Sequence, residues 1–274
     1  MSALLWILLA AGTPAGLQAL PRGQVIDDVR CAADATAGVI ASSAGYPDSR
    51  PRSSLPFVVF GTAGRDDFNY IEMKMLERPL KTPHRIVIFE GGHTLPPDDV
   101  AMAAIEWLEV QGMKSGARVK DEALIARLWD VRQPAIAAAG ESTTAVHLLQ
   151  DLVDDFTGLR DTTTARARLA ALAKQPDIKR ALSRERDDVV AEERLLDEFV
   201  ALEAQLRDDE RRQESLLRLR RLMTDLNAKA TSARASPERD RSRRVLRIVT
   251  MGAAERIQDE EYLKLIRQFG GRQP

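Results

Sequence analysis

The chain has 274 residues, 40 Lys and Arg against 41 Asp and Glu, 44% hydrophobic residues and one cysteine. A formal net charge of −1 removes the global electrostatic argument for nucleic-acid binding, because no excess of cations can displace counterions from phosphate. The single cysteine, Cys31, excludes an intramolecular disulfide framework and any Cys-rich zinc module.

The length predicts about two domains. Met1 to Gly12 form an apolar run of signal-peptide length, followed by small residues as far as Ala19. It is too short to span a bilayer as an ordinary helix, and no Lys or Arg precedes it. Residues 1–30 are therefore an apolar segment with two open readings, an extracytoplasmic export signal or a buried strand or helix.

From Thr36 to about Gly116 short apolar runs alternate with Gly and Pro. Three strands are predicted, Ala37 to Ser42, Leu55 to Phe60 and His84 to Phe89. Their continuous β-branched and aromatic character suits a parallel sheet buried on both faces, with helices between the strands. Asn69 to Leu80 supplies one connecting helix, with Ile71, Met73, Met75 and Leu76 on or near one face. A second opens at Pro96 and Pro97, carries Asp98 and Asp99 in its first turn, and is expected to end at Gly112. This order predicts an α/β domain over 31–116.

Residues 120–270 read as an α-helical domain rich in Ala, Leu, Arg, Asp and Glu. Helices are predicted from Asp121 to about Val131, interrupted by Pro134, then over Thr143 to Phe156, Thr163 to Lys174, Arg186 to Asn227 with a break, and Pro237 to Phe269. In the long segment Val189, Leu196, Phe199, Val200, Leu206, Leu216, Leu219 and Met223 recur at helical spacing, the pattern of antiparallel helices burying an apolar seam. The basic run Arg218 to Arg221 and the cluster Arg239 to Arg247 are interleaved with acids and read as solvated helix faces. No tetratricopeptide signature repeats at a fixed period.

The stretch most informative about chemistry joins the strand ending at Phe60 to Gly61-Thr-Ala-Gly-Arg-Asp-Asp-Phe-Asn-Tyr70, and the strand ending at Phe89 to Glu90-Gly-Gly-His-Thr-Leu-Pro-Pro97. Each puts a titratable residue just beyond the carboxyl end of a strand, the edge at which open α/β sheets bind ligands. Neighbouring parallel strands lie about 4.8 Å apart, so such loops can bring a carboxylate to an imidazole. The carboxylate is Asp66 or Asp67 and the imidazole is His93.

This arrangement, completed by a helix ending Ala104-Ile-Glu-Trp-Leu108, resembles the C-terminal third of an α/β-hydrolase domain of the dienelactone hydrolase and esterase branch. The resemblance covers about residues 36 to 112. It implies a chain order of nucleophile, acid and histidine, with the acid on Asp67, Asp66 as the alternative, and the base on His93. It also implies a small-molecule carboxylic ester as substrate and no cofactor.

The same family needs a nucleophile on a Gly-x-Ser-x-Gly elbow upstream of the acid, and this sequence holds none. Ala41-Ser-Ser-Ala-Gly45 comes nearest and makes Ser43 a weak nucleophile candidate. The prolines at 47, 51 and 56 oppose the helix that must follow an elbow. Cys31 lacks flanking glycines and reads as a small buried residue. The resemblance therefore implies a truncated or inactive hydrolase; the alternative is a non-enzymatic interaction protein working through its helical domain.

His84 reads as a strand-edge residue and His147 as an ordinary helical one. Three histidines without metal-ligand spacing predict no metal site, and no phosphate-loop motif is present. A three-stranded sheet with open edges invites a protein partner or a second copy of the chain.

Overall fold

The computed structural model describes residues 5–10, 18–19, 36–43 and 53–270. It is an α/β unit followed by helices. The sheet has five strands, β1 (Leu5–Ala10), β2 (Gln18–Ala19), β3 (Thr36–Ser42), β4 (Val58–Gly64) and β5 (His84–Phe89), in the order β2-β1-β3-β4-β5. β3, β4 and β5 are parallel, with Ile40 opposite Phe60 and Phe60 opposite Arg85. β1 runs antiparallel to β3, so part of the N-terminal apolar segment is a strand.

β4 begins three residues later than the apolar pattern suggests and runs on through Gly61-Thr-Ala-Gly64. Pro56 has no N–H for a ladder, and the Val59 N–H donates to Pro83 O at 3.2 Å where β4 meets the start of β5. Small residues continue the strand because space is short: a side chain on Gly61 would begin 2.1 Å from Met73 Cε and 2.6 Å from Ile86 Cδ1.

Both sheet faces are covered. Helix α1 (Tyr70–Glu77) packs Met73 and Leu76 on Ala41, Val59 and Ala63. Helix α2 (Asp98–Ser115) packs Ala104, Trp107 and Leu108 on Ile40 and Phe60. Between β3 and β4 the described residues 53–57 hold no helix.

α2 passes straight through Gly112 and stops at Gly116, whose φ of +79° is the left-handed conformation that ends helices. Gly112 lies buried inside the helix, where a Cβ would meet the Arg118 stem at 3.1 Å. Its smallness serves packing, not termination.

Seven further helices follow: α3 (Glu122–Ala138), α4 (Thr143–Phe156), α5 (Thr163–Lys174), α6 (Pro176–Gln205), α7 (Asp209–Ala230), α8 (Pro237–Arg256) and α9 (Glu260–Gly270). Pro134 does not interrupt α3. The carbonyl it leaves unbonded belongs to exposed Asp130, where water can serve it, while Ile136 is buried and anchors the next turn. The long predicted segment is two helices, α6 starting ten residues earlier at Pro176, with the break at Leu206 to Asp208. There the Asp208 carboxylate accepts from the Glu210 N–H at 3.0 Å. The last segment also divides, at 257–259.

Phe199, Leu202, Leu219, Met223, Leu246 and Tyr262 lie at the centre of one helical core. Val200 is 62% exposed and lies outside that seam. A second core joins α3, α4 and α5 and takes Val110 and Met113 from α2. Helix α2 thus belongs to both the sheet and the helical part. Among the described residues no helix is long and apolar enough to cross a membrane.

Candidate functional site

β3, β4 and β5 end at one rim of the sheet, and the loops after β4 and β5 lie there. The β4 and β5 loops touch because Gly64 has no side chain: a Cβ there would lie 2.3 Å from Gly92 O and 2.4 Å from Gly91 O. Across this contact the Arg65 N–H donates to Phe89 O at 2.8 Å and the Asp66 N–H to Gly91 O at 2.9 Å. Gly91 takes a φ of +145°, which side-chain-bearing residues rarely adopt.

Asp67 is fully buried and its Oδ1 lies 3.0 Å from His93 Nδ1. The same oxygen accepts the Asn69 N–H at 2.9 Å, which fixes the carboxylate from its own turn. Asp66 offers its backbone N–H to the glycine loop, so of the two expected acids Asp67 is the one that meets the imidazole. Phe68 stacks on the His93 ring at 4.2 Å between centroids. The His93 side chain is 18% exposed, and its Nε2 has no hydrogen-bond partner among the described residues. An imidazole held at Nδ1 by a carboxylate and open at Nε2 is equipped to take a proton and return it.

Of five buried side-chain polar atoms without partners among the described residues, four belong to Ser42, Thr62, Asp67 and Asn69 at this end of β3 and β4. Each such atom costs about 1–3 kcal/mol.

Ser43 reaches the rim from β3. Its φ of +48° is the one positive value at a non-glycine position among the described residues. Its N–H donates to Thr62 O at 2.7 Å, and its buried hydroxyl donates to Thr94 O at 3.2 Å. Ser43, Asp67 and His93 therefore gather on one rim, yet the serine proton is directed to a carbonyl and not to the imidazole.

Family models, curated proteins and solved structures were compared with the chain, and none matches.

β1 cannot stand in for a nucleophile strand. Leu5 pairs with Ser42 and Ala10 with Thr36, so the carboxyl end of β1 lies at the edge opposite His93. Cys31 falls outside the described residues. His84 sits at the start of β5 with its ring nitrogens 2.8 Å from Thr82 O and 3.1 Å from Glu77 O. His147 is exposed and pairs with Glu185 at 2.9 Å. Among the described residues no group of three or more His, Cys, Asp or Glu is placed to hold a metal ion.

A cavity of about 300 Å³ opens at the amino end of β5, lined among others by Lys81, Arg85, Gln111 and Asp151. Burial pushes the Asp151 carboxyl above its ordinary value, against the attraction of Arg85. The cavity lies at the other edge of the sheet and does not include His93.

The basic cluster of α8 is not a solvated face. Arg244 is 3% exposed, forks onto Glu192 of α6 through Nε at 2.9 Å and through Nη2, and donates from Nη1 to Arg65 O at 3.0 Å. Its guanidinium carbon lies 3.9 Å from the Tyr70 ring centroid. Periodicity could have placed Arg244 beside the apolar pair Val245 and Leu246, but its counter-ion is 52 residues away, which spacing cannot reveal. The run Arg218 to Arg221 presents its arginines to solvent, with Arg218 paired to Glu198 at 3.0 Å.

Proposed function

We propose that the chain is an α/β-hydrolase-like protein of the dienelactone hydrolase and esterase kind, whose rim holds the base and orienting acid of an ester hydrolase without an activated nucleophile beside them. The observation that carries this reading is the 3.0 Å contact of His93 Nδ1 with Asp67 Oδ1, with no partner at Nε2 among the described residues. In ester hydrolysis His93 would accept the proton of the attacking oxygen at Nε2 and return it to the departing alkoxide. Asp67 would hold the tautomer and stabilise the imidazolium. General-base assistance of this kind is worth about a hundredfold to ten-thousandfold in rate. The attacking oxygen comes from water, since the Ser43 hydroxyl is buried and its proton is engaged by Thr94 O.

The test is hydrolysis of p-nitrophenyl acetate by the chain and by His93→Ala, together with labelling by a fluorophosphonate probe. The expected result is slow turnover without a burst, lost in His93→Ala, and no labelling. Equal background rates in both proteins would sink the proposal and favour a non-enzymatic protein working through its helices. Labelling that disappears in Ser43→Ala would make Ser43 a nucleophile and overturn the water step.

A further inference from the structure

The turn that carries Asp67 is held from two sides. On one side the Arg65 and Asp66 N–H groups bond to the β5 end and its glycine loop. On the other, the Arg65 carbonyl accepts from Arg244 Nη1, a contact between residues 179 apart in the chain. We propose that Arg244, clamped by Glu192, is a positioning residue that sets the alignment of Asp67 on His93, so that the helical part governs the acid–base pair. The inference rests on the reading of Asp67 and His93 as such a pair.

Three features separate this from ordinary packing. The guanidinium uses its whole planar fork, two nitrogens on Glu192 and the third on the acid turn, while its face covers Tyr70 at the start of α1. A lysine keeps the charge but can reproduce neither the fork nor the stacking. Both charges are buried, Arg244 at 3% and Glu192 at 0% exposure, and desolvation offsets most of what such a pair gains. The pair is therefore weakly explained by stability and better explained by geometry. Arg65 O, its target, lies two residues before Asp67, inside the turn that closes with the Asp67 N–H donating to Gly64 O at 3.1 Å. A shift of the Arg65 peptide is thus transmitted to Asp67 within one turn.

The other charged groups near His93 are Asp67, the exposed Arg65–Glu90 pair at 2.6 Å, and Arg247 of α8, whose Nη1 would stand 3.5 Å from a Cβ on Gly92. None changes charge in Arg244→Lys, so that variant alters alignment and leaves the count of charges intact.

The experiment is ¹⁵N NMR of the histidine side chains in the full chain, which reports the nitrogen that carries the proton. His93 is assigned by the signal absent from His93→Gln. Wild type is expected to hold the His93 proton on Nδ1, as the bond to Asp67 requires. Asp67→Asn and Arg244→Lys are both expected to lose that preference, with far-ultraviolet circular dichroism unchanged. If Asp67→Asn loses it and Arg244→Lys keeps it, the positioning role is overturned while the pair stands. If Asp67→Asn keeps it, the pair itself fails and the positioning role with it. Should Arg244→Lys not fold, Tyr70→Leu, which removes the ring under the guanidinium, is read in the same way with the same two outcomes.

Discussion

Gly64 shows how much one missing methyl group can decide. Its neighbours at 2.3 to 2.7 Å from a would-be Cβ are backbone atoms of Gly91 and Gly92, which cannot rotate aside as a side-chain end can. Gly64→Ala must therefore push the Asp67 and His93 loops apart. Overpacking of this kind costs about 1–3 kcal/mol, so a urea midpoint below wild type is expected, together with loss of the His93 Nδ1 proton preference. An unchanged midpoint would mean that the loops yield freely. The candidate acid and base were legible in the sequence because each directly follows a strand. The residues alone left Asp66 and Asp67 both open, and Asp67 was preferred only through the resemblance, because the choice depends on which carboxylate turns inward and adjacent residues in a turn point in different directions.

At the scale of elements, one carboxylate joins the sheet to the first helices. Asp155 of α4 is buried and accepts from Arg85 of β5 at 3.0 Å, from Trp107 Nε1 of α2 at 2.9 Å and from Arg132 of α3. Removing it leaves the largely buried Arg132 without its carboxylate and Arg85 with Asp151 alone at 3.3 Å, and breaking a buried pair costs about 3–5 kcal/mol. Asp155→Ala is expected to lower the unfolding free energy by that order in denaturant titration. A loss below about 1 kcal/mol, the usual scale of an exposed pair, would show that water replaces the carboxylate. Element types were readable from period and composition, whereas several ends were not. Gly112 and Pro134 both carry local helix-ending signals, yet the buried residues around them continue the helix.

For the whole molecule, the Glu192–Arg244 pair ties the helical part to the rim. Burial pushes the Glu192 carboxyl above its ordinary 4.5, outweighing the opposing pull of Arg244. The folded chain therefore binds that proton more tightly than the unfolded chain. The stability so contributed is fully present below pH 4.5 and is lost as the pH rises through the folded-state value. Glu192→Gln removes the titration. The stability of wild type relative to Glu192→Gln is expected to fall as pH rises through that window in parallel denaturant titrations. A difference independent of pH would show that Glu192 does not titrate anomalously in the fold.

The sequence by itself determined an α/β part followed by helices, the three parallel strands, and the placement of Asp67 and His93 beyond strand ends. These follow from local periodicity, turn residues and the direction of parallel strands, all carried by short stretches of chain. Tertiary structure alone decided that Asp67 meets the imidazole, that the Ser43 hydroxyl turns to the Thr94 carbonyl, that β1 runs antiparallel, and that Arg244 is buried against the acid turn. Each of these rests on contacts between residues distant in sequence, and burial, which reverses the ordinary preference of a charged side chain for water, is a property of the packed molecule that no local pattern contains.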